Sequence, residues 1–206
     1  MSSRWNDPGD EIDGATPLDL DEREGLLLPH VQTRAELNVL EQENIQQAEE
    51  WLVGQRKYQD LFTRDFLHEL HRRMFGAVWA WAGTPRLTEK NIGVDPLMIG
   101  VETRNLLDDA RMWAQTGVFP VVEFAARFHH RLVKIHVFPN GNGRHARLMT
   151  EVLVQRALGA TPPQWRGDRN AYLAALRAAD GGDLAPLIGW MENDPSAGAA
   201  GDSPES

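Results

Sequence analysis

His136-Val137-Phe138-Pro139-Asn140-Gly141-Asn142-Gly143-Arg144-His145-Ala146-Arg147 is the stretch that organises the rest of the chain. It holds an imidazole, a turn with two glycines around an asparagine, and two arginines three apart. Glycine tolerates the positive φ that lets successive backbone N–H groups converge on an anion. The helical pattern starting at Arg144 puts a positive dipole end beside that turn. At i and i+3, Arg144 and Arg147 share one face and can reach into one pocket as forked donors. His136 titrates near neutrality and suits a general base. Gly141, Asn142 and Gly143 read as a phosphate cradle, with the Asn142 amide as a donor. A Gly-Lys-Ser/Thr ending is absent, so this is no P-loop. A base beside such a cradle suits nucleotidyl or phosphoryl transfer. The plainer readings are a buried structural histidine and surface-paired arginines.

These residues resemble the Fic family signature, His-x-Phe-x-(Asp/Glu)-Gly-Asn-Gly-Arg-x-x-Arg. Asn140 departs from it, standing where the family has a carboxylate. Trp81-Ala82-Gly83 with Arg86 resembles the start of the family's flap, and Tyr172-Leu173-Ala174-Ala175-Leu176 with Ala179-Asp180 its closing helix. Gly14-Ala15-Thr16-Pro17-Leu18-Asp19 and the asparagine variant are similar to a bacterial subgroup labelled mobile mystery protein B.

The resemblance implies a mainly α, Fic-like helical bundle with one small β-hairpin flap. It implies a protein adenylyltransferase, an enzyme moving AMP from Mg-ATP to a Ser, Thr or Tyr hydroxyl of a target protein, in a setting that resembles a toxin. His136 would be the catalytic base. Asn140, Gly141, Asn142, Gly143, Arg144 and Arg147 would hold the nucleotide, with Lys90 and Asn91 of the flap as further contacts. Asn140 would hold Mg²⁺ weakly, since an amide oxygen brings no charge. The alternative is a nucleotide-binding or interaction module with little or no turnover. The family's inhibitory helix ends in Glu-Gly/Asn, and its glutamate pairs with the second arginine, which here is Arg147. Glu43-Asn44 fits that ending, Val39 occupies the expected Ser/Thr place, and Glu41 competes with Glu43 as the inhibitory glutamate.

Periodicity gives the organisation. Residues 1–30 read as an extended acidic arm that the apolar Leu26-Leu27-Leu28 could anchor. Residues 31–193 form the Fic-like domain, and 194–206 form a disordered Ser/Gly/Ala/Pro tail. Apolar residues at three- and four-residue steps predict helices over 33–55, with Thr33 and Glu36 as a capping box, and near Thr63, with Phe66, Leu67, Leu70, Met74 and Phe75 as its stripe. Others are expected over 101–117, 121–135, 144–158, 169–179 and 183–191. Pro85, Gly93 and Pro96 break the pattern, and 86–94 is expected as the flap hairpin.

A net charge of −9 over 206 residues disfavours nucleic acid or an anionic membrane as partner. The 18 arginines against 3 lysines are more simply a genome bias than a site. No cysteine is present, so thiol chemistry and disulfides are excluded. No apolar run reaches the roughly 20 residues of a membrane span, and no signal peptide is visible; a cytoplasmic protein is the expectation. His129, His130, His136 and His145 lack a His-Glu-x-x-His spacing, which argues against a transition-metal site. A homodimer stays open.

Overall fold

A computed structural model describes residues 25–55, 60–165 and 167–192. The acidic arm up to residue 24, with its Gly14–Asp19 motif, and the tail from 193 lie outside the described residues. The described chain is mainly α. Helix α1 is Arg34–Gly54, α2 Arg64–Phe75, α3 Ile99–Thr116, α4 Val121–Ile135, α5 Asn142–Arg156, α6 Arg169–Asp180 and α7 Ala185–Glu192. A single 3₁₀ turn, Pro96–Met98, leads into α3.

Local chemistry starts the first two helices. Thr33 Oγ1 accepts from the Glu36 amide while the Glu36 carboxylate accepts from Thr33 N, the reciprocal capping box expected from sequence. Thr63 caps α2 by accepting from Phe66 N at 3.2 Å. The α2 stripe of Phe66, Leu67, Leu70, Met74 and Phe75 is fully buried, as its spacing requires. Asn44 ties α1 to the end of α2: its Nδ2 donates to Arg73 O and its Oδ1 accepts from Ala77 N, both at 2.9 Å. The chain before α1 joins the body where Leu26 bridges Trp79, and Leu27 N donates to Val78 O at 2.8 Å.

The centre of the bundle is α5. Asn142, Arg144 to Thr150 and Val152 to Val154 are all buried, so the helix is enclosed on nearly every side. Helices enclosed in this way are usually apolar throughout. Here the buried set includes Asn142, Arg144, His145, Arg147 and Thr150. Buried polar side chains are costly unless bonded, so each must find a partner or a ligand. α4 and α2 pack against α5, and α6 and α7 pack on α4.

The expected flap hairpin over 86–94 is corrected by the structure. No strand occurs among the described residues, and 84–94 runs as bends and irregular chain. A ladder would need the carbonyls of this segment to face N–H groups across a turn. Instead the buried Arg86 guanidinium lies inside the loop, donating to Thr88 O at 2.8 Å and to Val94 O. Pro85 and Pro96 at its ends have no N–H to contribute.

Asn44→Ala would leave the Ala77 amide and the Arg73 carbonyl unpaired, at a cost of about 2–3 kcal/mol. Urea titration measures this, and a midpoint within error of the unaltered protein would refute the docking role.

Candidate active site

The turn between α4 and α5 is built by its own residues. His136 is the C-cap of α4, at φ 54° and ψ 62°, and is the one described non-glycine residue with positive φ. That conformation costs an L-residue about 1–2 kcal/mol. Phe138, wholly buried, plugs the turn into the core. Asn142 clamps it: Oδ1 accepts from Phe138 N at 2.9 Å and Nδ2 donates to Phe138 O at 2.8 Å. The Asn142 amide, expected to face a phosphate, thus spans the turn instead. Gly141 starts α5 at φ 75°, and a Cβ there would lie 2.6 Å from the Phe75 ring, so only glycine fits. Asn140 is exposed, and its Oδ1 folds back to accept from Gly141 N at 2.6 Å.

From α2, His71 reaches the same turn. Its ring stacks on Phe138 with centroids 3.7 Å apart. Nδ1 accepts from Gly83 N at 3.0 Å, so the proton sits on Nε2, which donates to Asn140 O at 3.1 Å. His145 is buried and bonds Leu67 O at 3.0 Å. His129 contacts the Tyr172 hydroxyl at 2.8 Å, and His130 contacts Asp180 at 3.0 Å. These partners separate the histidines, and among the described residues no cluster of three metal-ligating side chains occurs.

The two arginines of α5 are both buried, yet their surroundings come from different helices. Arg144 Nη1 pairs with Glu41 Oε2 of α1 at 2.6 Å, with side-chain exposures of 4% and 3%. Its guanidinium also lies over the Phe75 ring, 5.0 Å from the centroid. The other Glu41 oxygen accepts from Trp79 Nε1 at 2.6 Å. The carboxylate expected to meet Arg147 thus pairs with Arg144, and Arg147 lies over the Tyr172 ring of α6 at 5.8 Å. Of the two candidate glutamates, Glu41 faces the site and Glu43 is exposed. Lys90 and Asn91 are exposed on the loop leading to α3.

Sequence reasoning passed over His71 and Trp79, and noted Arg86 only as the start of the flap. Arg86 is 3% exposed and donates through Nε to His136 O at 2.7 Å. A histidine inside the apolar stripe of α2 was the one available signal for His71.

Residues 61–154 match the Fic/DOC family model. The chain carries a Fic/DOC domain. It is 36% identical over 134 residues to the protein adenylyltransferase Fic of Nematostella vectensis, covering 63% of this chain and 31% of that protein. A fragment of Fic-1 from Caenorhabditis elegans superposes with a TM-score of 0.66 at 28% identity, covering 86% of this chain and 55% of the fragment. BepC of Bartonella tribocorum, with bound AMPPNP, shares the fold at a TM-score of 0.68 and 20% identity, covering 88% of this chain and 93% of that one. The chain spans about three-tenths of the length of the curated relatives it matches. None of the described helices is long and apolar enough to cross a membrane.

Burial pushes His71 well below its ordinary 6.5, with His145 adding to the effect. Burial also pushes His129 down to about 3, helped by the Arg147 charge, and His145 down to about 3. All three are therefore neutral when folded but protonate in the unfolded chain below its pKa near 6.5. The unfolded state then binds more protons, so stability is full above pH 6.5 and is lost as pH falls from there toward 3. Each histidine contributes a slope of up to about 1.4 kcal/mol per pH unit. Urea titrations at pH 7.5 and 5.5 should show a clear loss at the lower value; equal stability would refute neutral burial.

Proposed function

We propose that this Fic/DOC domain is a protein adenylyltransferase that moves AMP from ATP to a Ser, Thr or Tyr hydroxyl of a target protein. The observation that carries this reading is the α4–α5 turn. It holds His136 in a strained conformation directly before a clamped anion turn and the first turn of α5. The curated relatives, named protein adenylyltransferases, and BepC with its bound ATP analogue support the same reading. Within the family, Asn140 and the Gly14–Asp19 motif favour the bacterial subgroup labelled mobile mystery protein B.

The roles follow from the chemistry. His136 takes the proton from the target hydroxyl. The oxygen attacks the α-phosphorus, the bond from that phosphorus to the bridging oxygen breaks, and pyrophosphate leaves. The proton on His136 passes to solvent. The amides of the first turn of α5 receive phosphate oxygens, Gly141 N joining them once Asn140 Oδ1 turns away from it, and Arg144 and Arg147 neutralise the β- and γ-phosphates. Lys90 and Asn91 approach the nucleotide from the loop. The donor set suits Mg²⁺ poorly: Asn140 offers one uncharged oxygen, already turned onto Gly141 N. Mg²⁺ therefore enters as a companion of the ATP phosphates, and no step is assigned to it.

Arg144 can meet a phosphate only in competition with Glu41. A buried ion pair is strongly destabilising to break one-sidedly, so incoming phosphate must offer comparable attraction. This makes Glu41, in place of Glu43, the self-inhibitory candidate, with Trp79 orienting its carboxylate. The same pair and Asn140 favour the second reading, a nucleotide-binding module without turnover.

Purified protein incubated with ATP labelled at the α- or γ-phosphate separates the readings, with His136→Ala as control. Label from the α position on protein, lost in the control, is expected. Label from γ would indicate phosphate transfer, and none would leave the binding module. Asn140→Asp should raise Mg²⁺-dependent transfer, and an unchanged rate and metal dependence would contradict the role given to Asn140.

Glu41→Gln keeps an acceptor for Trp79 but removes the charge facing Arg144. Calorimetry should show tighter ATP binding, about tenfold for each 1.4 kcal/mol of competition removed. Unchanged affinity in the folded variant would eliminate self-inhibition through Glu41.

A further inference from the structure

The Arg86 guanidinium sits where two parts of the site meet. Nε donates to His136 O at 2.7 Å and Nη2 approaches Ile135 O at 3.5 Å, both at the C-terminus of α4. The remaining donors hold Thr88 O and Val94 O of the adjoining loop. Main-chain bonds run alongside: Arg86 N donates to Val137 O at 2.9 Å, and Val94 N donates to Ile135 O at 3.3 Å. The last carbonyls of a helix lack intrahelical partners and carry the negative dipole end, so a buried cation is well placed there.

We propose that Arg86 is a positioning residue: one guanidinium locks the loop 86–94 to the main chain of His136, fixing the base against the segment that carries Lys90 and Asn91. This rests on the transferase reading above.

The magnitudes favour such a lock. The left-handed conformation of His136 is strained for an L-residue. Hydrogen bonds from a charged donor are stronger than neutral ones, so the several Arg86 contacts offset that strain. The α4 C-cap can thus stay at φ 54° without a glycine. Gly93 supplies the close approach: at φ 101°, a Cβ there would lie 2.6 Å from Arg86 Nη2 and 2.7 Å from His136 Cβ. Any side chain at 93 would push the cation and the base apart. Lysine at 86 would keep the charge but lose the planar fork that serves several carbonyls at once.

Two variants test this by separate routes, Arg86→Lys and Gly93→Ala, each measured by amide hydrogen exchange and by adenylyl transfer. The Val94 amide should exchange about tenfold to a hundredfold faster in Arg86→Lys, the loss expected for one charge-assisted bond, while amides of α5 keep their protection. For transfer, kcat should fall at least about tenfold with a smaller rise in the KM for ATP, because the α5 cradle is untouched and only the Lys90 and Asn91 contacts of the loop loosen. Gly93→Ala should reproduce the fall in kcat. In Arg86→Ala, added guanidinium ion should restore part of kcat, which a general loss of fold would not permit.

Val94 exchange unchanged in Arg86→Lys would overturn the proposal. So would equal loss of protection at Val94 and α5 in both variants, or an unaltered kcat in a folded variant with a loosened loop. If the unaltered protein transfers no label, the transferase reading falls, while the exchange data still decide whether Arg86 locks the loop to His136.

Discussion

The reversal of the chain between α4 and α5 is the constraint on which the rest of this structure depends. Three features make it possible in so few residues: a left-handed His136, a left-handed Gly141, and the two bonds between Asn142 and the Phe138 main chain. Phe138 inside the core then prevents the turn from swinging as a loop ordinarily would. The result is a turn held as rigidly as a helix interior, with a titratable ring on one side and a helix N-terminus on the other.

Around that turn, each neighbouring element contributes one polar contact. α2 sends His71 to the Asn140 carbonyl, and the segment after it sends Arg86 to the His136 carbonyl. α1 sends Glu41 to Arg144, and α6 sets the Tyr172 ring beneath Arg147. These are expensive residues to bury, and the core tolerates them because each meets a bonding or ring partner. Desolvation also keeps His71, His129 and His145 neutral. They therefore act as fixed hydrogen-bonding groups in the folded protein.

Arg144 is held by a carboxylate that arrives from a different helix. In chemical terms Glu41 occupies the role of an anion already bound. Under the proposed function, regulation and catalysis would use the same guanidinium, and the affinity for nucleotide would measure the difference between two anions competing for it.

The helices were legible in the sequence because their signals are local. Thr33 with Glu36, Thr63, and the apolar steps along α2, α4 and α5 depend on residues three or four apart. The turn His136–Arg147 was legible for the same reason: glycines, an asparagine and two arginines in twelve residues carry their own conformational requirements. What the chain does between residues 84 and 94 was not legible. Its apolar and glycine pattern fits a hairpin, and only the folded core brings the α4 carbonyls within reach of Arg86, which then takes the acceptors a ladder would have used. Glu41 and Glu43 lie two residues apart, about 200° around the helix, so at most one of them can face the core. The docking of α1 through Asn44 turns Glu41 inward and Glu43 outward. Local propensity thus determined which elements exist, whereas pairings between residues such as Glu41 and Arg144, 103 positions apart, exist only once packing has brought the helices together.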